Sequence, residues 1–184
     1  MVTRRCPADA ARRAMRISLV LTDNDGVLTD GTIYVAATGE HMKAYSVRDG
    51  MGVERLRERG IATGVVTREL PELIAARAGK LGLRLWAGVR DKHAHLGRIL
   101  DEAGVGLDQV AYIGDDVNDL GVIEAVRDVG LTAAPADAMP AVRDAVHYIS
   151  DAPGGRGAFR EVAEWLLRLR TTAEVPHEEQ RQDR

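Results

Sequence analysis

Three short apolar runs, Ile17–Thr22 (ISLVLT), Ile61–Thr67 (IATGVVT) and Val110–Gly114 (VAYIG), each stop abruptly at polar or glycine-containing sequence. Runs this short, bounded by turn residues, read as strands buried on both faces. Val129–Ala133 and His147–Ser150 read as further strands. The segments between them carry helical spacing. Leu96, Ile99, Leu100 and Ala103 fall at i, i+3, i+4 and i+7, and Leu70, Leu73, Ile74 and Leu81 share a face. Phe159, Val162, Ala163, Leu166 and Leu169 form the apolar face of a last helix. Strands alternating with helices predict an α/β fold, a Rossmann-like parallel sheet with helices on both faces.

One stretch breaks the alternation. Residues 30–47 hold no helical period. Thr32–Ala36 and Met42–Val47 are strand-like, and Ala37–Glu40, with Gly39, supplies a turn. This predicts a β-hairpin inserted after the first strand. Open α/β sheets bind ligands at the carboxyl ends of their strands, so the hairpin is expected to overhang that edge or to pair with another subunit.

A chain of 184 residues suggests one domain, expected over 17–170. Residues 1–16 read as a basic arm, with Arg4, Arg5, Arg12, Arg13 and Arg16 against Asp9 and a short helix from Ala8 to Met15. An Arg- and Ala-rich start also suits an organelle transit peptide. Residues 171–184 read as a polar, frayed tail. Lys plus Arg is 25 against 28 Asp plus Glu, the reverse of the basic surplus of a nucleic-acid binder. No apolar run approaches the roughly 20 residues of a membrane helix. A lone cysteine, Cys6, excludes an intrachain disulfide and a thiolate zinc cluster. A cytoplasmic, single-domain protein with no nucleic-acid or membrane partner is the expectation.

The chemistry sits at the strand ends. Asp23-Asn24-Asp25-Gly26 follows the first strand, and residues two apart on extended backbone face the same way. Gly114-Asp115-Asp116-Val117-Asn118-Asp119 follows the strand at Val110. Carboxylates gathered there repel one another, and a hard cation such as Mg²⁺ resolves the repulsion. Thr67 ends its strand and Lys92 begins a helix beyond it, and a hydroxyl with an ammonium beside such a centre suits a phosphoryl group. Each feature has a plain structural explanation: a turn at Asp23–Gly26, a helix cap at Asp115–Asp119, a strand terminus at Thr67, a solvated side chain at Lys92. Their shared order and strand-end placement favour the functional one.

D-x-D-G, Thr67, Lys92 and G-D-D-x-x-D together resemble the four motifs of the haloacid-dehalogenase superfamily, in its capless subclass. From Ile17 to Leu169 the chain further resembles the superfamily's 3-deoxy-D-manno-octulosonate 8-phosphate phosphatases, on the segments DNDGVLTDGTIYVAATGEHMKAYSVRDGMGV, VAYIGDDVNDL and GGRGAFREV. The resemblance implies an aspartyl-phosphate mechanism. Asp23 would be the nucleophile and Asp25 the acid/base, Thr67 and Lys92 the phosphate ligands. Asp23, Asp25 and Asp115 would hold Mg²⁺, supported by Asp116 and by Asp119, which would hold Lys92. It also implies a homotetramer with its hairpins at the centre, and Arg48 and Arg156 as contacts to a sugar acid phosphate. The plain alternatives are an ion pair from Arg48 to Asp49 or Glu54, and a mobile loop around Arg156. His41 on the hairpin could reach a neighbour's site; His93 and His95 read as surface residues.

The second motif departs from the family's Thr-Gly-Arg: here it is Thr67-Arg68-Glu69. That touches substrate choice more than reaction type, so another high-carbon sugar phosphate, a nonulosonate 9-phosphate or an octose-nucleoside phosphate, stands as an alternative. Readings of other classes are a phospho-signalling receiver domain and a non-catalytic subunit. The first places its acceptor Asp on a middle strand, whereas here the run Ile61–Thr67 ends without one.

Overall fold

The computed structural model describes residues 6–174. Arg4, Arg5 and residues 175–184 lie outside the described residues. The elements run α1 (Ala10–Arg16), β1 (Leu19–Thr22), β2 (Tyr34–Ala36), β3 (Gly39–Met42), α2 (Val47–Arg57), β4 (Ala62–Val66), α3 (Ala75–Leu81), β5 (Arg84–Trp86), α4 (Lys92–Ala103), β6 (Val110–Ile113), α5 (Leu120–Arg127), β7 (Leu131–Ala134), α6 (Pro140–Ala145), β8 (Tyr148–Ile149) and α7 (Ala158–Glu174). Six strands form one parallel sheet in the order β5-β4-β1-β6-β7-β8, and β2 pairs with β3 apart from it.

The alternation of side chains across the pleat divides the core in two. Val20, Val65, Ala111 and Ile113 meet residues of α1, α2 and α7, among them Ala14, Leu56, Phe159 and Leu166. Leu19, Leu21, Val66 and Tyr112 face α4, α5 and α6 through Ile99, Ile123 and Val142. Both faces are covered, which is why every residue of β1, β6 and β7 is buried and why those strands read as continuous apolar runs.

β1 lies between β4 and β6, in register at Thr22↔Val65 and Thr22↔Ile113. The chain adds β4 and β5 on one side of β1 and then returns to lay β6, β7 and β8 on the other. A crevice outside the carboxyl ends of the strands forms where the winding reverses. The strand-end residues Asp23, Thr67 and Asp115 therefore leave three adjacent strands at that point.

Four local expectations are corrected. The hairpin turns at Ala37 and Thr38, and its return strand is Gly39–Met42 rather than Met42–Val47. The ladder ends at Met42 because Lys43 and Tyr45 bond to Asp25 and Asn24, and Ser46 caps α2 by accepting from the Arg48 N–H. Leu70 is not on the buried face of its helix; it is 66% exposed. Pro71 holds the preceding residue extended, and a 3-10 turn, Pro71–Leu73, precedes α3. At the amino end Ala8 and Asp9 form a turn, and α1 begins at Ala10. At the other end, residues 171–174 are the last turn of α7, not a frayed tail, with the Thr171 and Thr172 hydroxyls bonded to the carbonyls of Leu167 and Arg168. The short, half-polar β5 carries no signal that separated it from a loop.

Candidate active site

Asp23 leaves β1 with its N–H bonded to the Ile113 carbonyl of β6, so the sheet itself fixes its position. The side chain is buried. One carboxylate oxygen accepts from the Asn24 N–H at 2.6 Å, and the other lies 2.5 Å from the Lys92 ammonium. Lys92 is the first residue of α4, and its ammonium also lies 2.7 Å from Asp119 Oδ1. Tyr112 donates its hydroxyl to the same Asp119 oxygen at 2.6 Å, and the Asp115 N–H donates to the other at 3.0 Å. Asp119 is thus fully engaged by the protein.

Burial drives the electrostatics. It lifts the Asp23 carboxyl to about 6, against the pull of Lys92 and with the push of Asp119. Asp115 is lifted further, to about 8, by burial and by the charges of Asp23, Asp119 and Asp116. Burial disfavours the charge on Lys92, but Asp23 and Asp119 outweigh it and hold its pKa above the ordinary value. Asp115 Oδ1 is buried and has no hydrogen-bond partner. Oxygens of Asp23, Asp115 and Asp119 lie within 4.8 Å of one another. An orphaned carboxylate oxygen inside an all-oxygen, electron-rich cluster fits a hard divalent cation.

Asp25 lies on the wall of the open cleft above this cluster, about 370 Å³ in volume, with Asp23, Asp115, Asp116, Asp30 and Asp137. Its Oδ1 accepts from Asn24 Nδ2 at 3.1 Å and Thr29 Oγ1 at 3.2 Å. Gly26 has φ 79°, and a Cβ there would collide with Asp115 Oδ2, so only glycine lets the two acidic loops close on each other. Thr67 is buried at the end of β4, its hydroxyl accepting from the Glu69 N–H at 3.1 Å. Asp116 is exposed and caps the 3-10 turn that follows it.

The two arginines sit differently. Arg156 is held 3.6 Å from Asp30 at the cleft rim, its side chain 70% exposed. Arg48 is exposed on α2, lines no part of the cleft and joins no ion pair among the described residues. Its neighbour Asp49 is buried and accepts from the Arg160 and Gly157 N–H groups at 2.9 and 3.2 Å, so it caps α7 rather than pairing with Arg48. His41 reaches Thr38 across its own turn at 2.6 Å, and His93 and His95 are exposed on α4.

Sequence reasoning passed over Lys43, which lies 2.8 Å from both Asp25 oxygens. It follows the hairpin, 18 positions from its partner, and no local pattern announces such a contact. Tyr112 was also missed, although a tyrosine in an otherwise apolar buried strand does signal a need for a hydrogen-bond partner.

No protein-family model matches the chain. It is 40% identical over 160 residues to the 3-deoxy-D-manno-octulosonate 8-phosphate phosphatase of Yersinia pestis, covering 86% of this chain and 84% of that one. The cobalt-bound deoxy-D-mannose-octulosonate 8-phosphate phosphatase of Haemophilus influenzae superposes with a TM-score of 0.81 at 35% identity, covering 88% and 93% of the two chains. The Moraxella catarrhalis 3-deoxy-D-manno-octulosonate 8-phosphate phosphatase, solved with magnesium, phosphate and its sugar acid, gives 0.81 at 33% identity, covering 90% and 94%. With its motifs at the strand ends of the same fold, the chain belongs to the 3-deoxy-D-manno-octulosonate 8-phosphate phosphatase family of the haloacid-dehalogenase superfamily.

Proposed function

We propose that this phosphatase hydrolyses 3-deoxy-D-manno-octulosonate 8-phosphate to the free sugar acid and phosphate through an aspartyl-phosphate on Asp23. The observation that carries the reading is the Asp23–Lys92–Asp119 chain beside an orphaned Asp115 oxygen at the sheet's switch point. Asp23, Asp115 and the Asp25 carbonyl would hold Mg²⁺, which would supply positive charge against the phosphoryl oxygens. Asp116 would orient water at that centre.

Lys92, fixed by Asp119, keeps Asp23 ionised and meets a phosphoryl oxygen, with the Thr67 hydroxyl on another. An Asp23 oxygen bonds to phosphorus as the ester P–O bond breaks, and Asp25 gives its proton to the leaving oxygen. Water then attacks the phosphoryl group, Asp25 takes the water's proton, and the Asp23–phosphorus bond breaks. Arg156 and Arg48 would meet the sugar carboxylate. The hairpin strands are exposed throughout, with Tyr34, Val35 and Met42 open, which supports a homotetramer assembled through them. Arg48, beside Gly157 and so next to the loop that carries Arg156, would meet the same carboxylate from α2. No helix among the described residues is long and apolar enough to cross a membrane. A cytoplasmic enzyme is the reading retained.

A second reading, a phosphatase for a nonulosonate 9-phosphate or an octose-nucleoside phosphate, is favoured by Glu69. That residue puts a carboxylate within 3.7 Å of Lys43, where the family's usual motif carries an arginine. Phosphate release from the eight-carbon acid, its nine-carbon analogue and an aryl phosphate, each with and without Mg²⁺, decides between them. Selective, Mg²⁺-dependent turnover of the eight-carbon acid is expected, and preference for another sugar phosphate would install the second reading.

A further inference from the structure

Lys43 has no part in the hydrolytic scheme above, yet its ammonium is applied directly to the acid/base, Asp25. It follows β3 in the segment that leads into α2, and its side chain is 0% exposed. Its ammonium lies 2.8 Å from each oxygen of Asp25 and 3.7 Å from Glu69 Oε2. A covered ammonium is costly unless paired, so this arrangement is held by its two carboxylates. Those carboxylates come from two different strand-end loops, one after β1 and one after β4. Glu69 is itself anchored, its N–H donating to Thr67 Oγ1 and its carbonyl accepting from the Gly88 N–H.

The contact removes a freedom that matters. An aspartate carboxyl turns readily about its last torsion, where the wells are broad. Asn24 and Thr29 bond to Oδ1 of Asp25, and among the described residues Lys43 is the donor to Oδ2. With a donor on each oxygen the plane of the ionised carboxyl is fixed, and when Asp25 carries the proton that it gives, Lys43 keeps the oxygen left unprotonated. At 3.7 Å Glu69 is an ion partner of Lys43 but not a hydrogen-bond partner, so Lys43 rests on Asp25 with Glu69 as its second anchor.

We propose that Lys43 is a positioning residue that holds the Asp25 carboxyl in its proton-transferring pose, and that Glu69 keeps the Lys43 ammonium at that post. The proposal rests on the reading of Asp25 as the acid/base. Lys43 itself neither gives nor takes a proton. The proton passes from Asp25 to the leaving oxygen as the ester bond breaks, and returns to Asp25 from water as the Asp23–phosphorus bond breaks.

The test uses esters that differ in their need for that proton. An alkyl sugar phosphate needs its leaving oxygen protonated; para-nitrophenyl phosphate does not. Single-turnover phosphorylation of Asp23 is measured for both, in the full chain with Mg²⁺, for Asp25→Asn, Lys43→Met, Lys43→Arg and Glu69→Gln. Asp25→Asn and Lys43→Met are expected to slow the alkyl ester by about a hundredfold and the aryl ester by less than about tenfold. Lys43→Arg recovers at least about tenfold of the alkyl rate, and Glu69→Gln shows the same selectivity with a smaller loss. An equal loss on both esters in Lys43→Met, with Asp25→Asn still selective, overturns the proposal and leaves Asp25 in its role. An unselective Asp25→Asn removes the reading of Asp25 and the proposal with it. Should Lys43→Met fail to fold, the alkyl-to-aryl ratio of Glu69→Gln decides: a lowered ratio supports the proposal and an unchanged one overturns it.

Discussion

Two polar clusters interrupt the apolar interior of the sheet, and they are built on different plans. At β7 and the residue before β8, Thr132 and His147 bond to each other. The Thr132 N–H and hydroxyl meet His147 Nδ1, and the His147 N–H meets the Thr132 hydroxyl, each at 3.2 Å. Burial pushes the His147 pKa down to about 4, so the ring is neutral and the pair closes on itself. At β1 and β6 the cluster of Asp23, Asp115 and Asp119 sets three carboxylates against the ammonium of Lys92, and an Asp115 oxygen remains over. A self-satisfied pair is structural. A cluster that retains charge and an acceptor has room for a ligand, and that difference marks the candidate site more firmly than burial alone.

The sharpest way to break the contrast is Asp23→Asn, which is expected to lower turnover by about a thousandfold or more while the fold persists; steady-state kinetics beside thermal melting checks it. Next comes the cation. In the metal-free protein the folded-state pKa of Asp115 lies above its unfolded value, so stability from this group is lost as pH rises from about 4 through about 8. Mg²⁺ is expected to abolish that fall and to bind with release of a proton below about 8, seen by calorimetry in buffers of different ionisation enthalpy. Asp115→Asn removes both effects. Tyr112→Phe leaves a buried carboxylate short of one donor and is expected to cost about 1–3 kcal/mol in denaturant unfolding. The smallest effect is at the closed pair. The His147 pKa is depressed, so its contribution to stability is present above about 6.5 and lost as pH falls toward about 4. His147→Gln flattens that acid limb, opposite in sign to the slope from Asp115; two slopes of one sign would erase the distinction drawn here.

What was legible in the sequence follows from where each interaction is encoded. The ends of β1, β4 and β6 were legible because an apolar run stops against Asp23, Thr67 or Asp115, and all three signals are local. The α/β architecture followed from the same punctuation. The hairpin was legible as an insertion, but its return strand was misplaced. Exposure removes the alternation that marks register, and the pull of Asn24 and Asp25 on Tyr45 and Lys43 ends the ladder early. Leu70 misled because periodicity outweighed the proline after it. Lys43 and the Asp49 cap on α7 were illegible, since both join residues that only the folded chain brings together.

The loop bearing Arg156 rests on bare main chain. A Cβ at Gly154 would collide with the Gly26 carbonyl, and one at Gly155 with the backbone at Thr29 and Asp30. Two peptide surfaces therefore lie face to face beneath the cleft, like the halves of a mould, and the Gly154–Gly155 half cannot accept a side chain unless the other is re-routed. Among diverging relatives Gly26, Gly154 and Gly155 are expected to be retained or lost as a set, while the exposed arginine that follows them is free to follow the substrate. A joint glycine signature drawn from both halves of the chain would then mark the shared reaction, and the variable residue beside it would record each enzyme's choice of sugar.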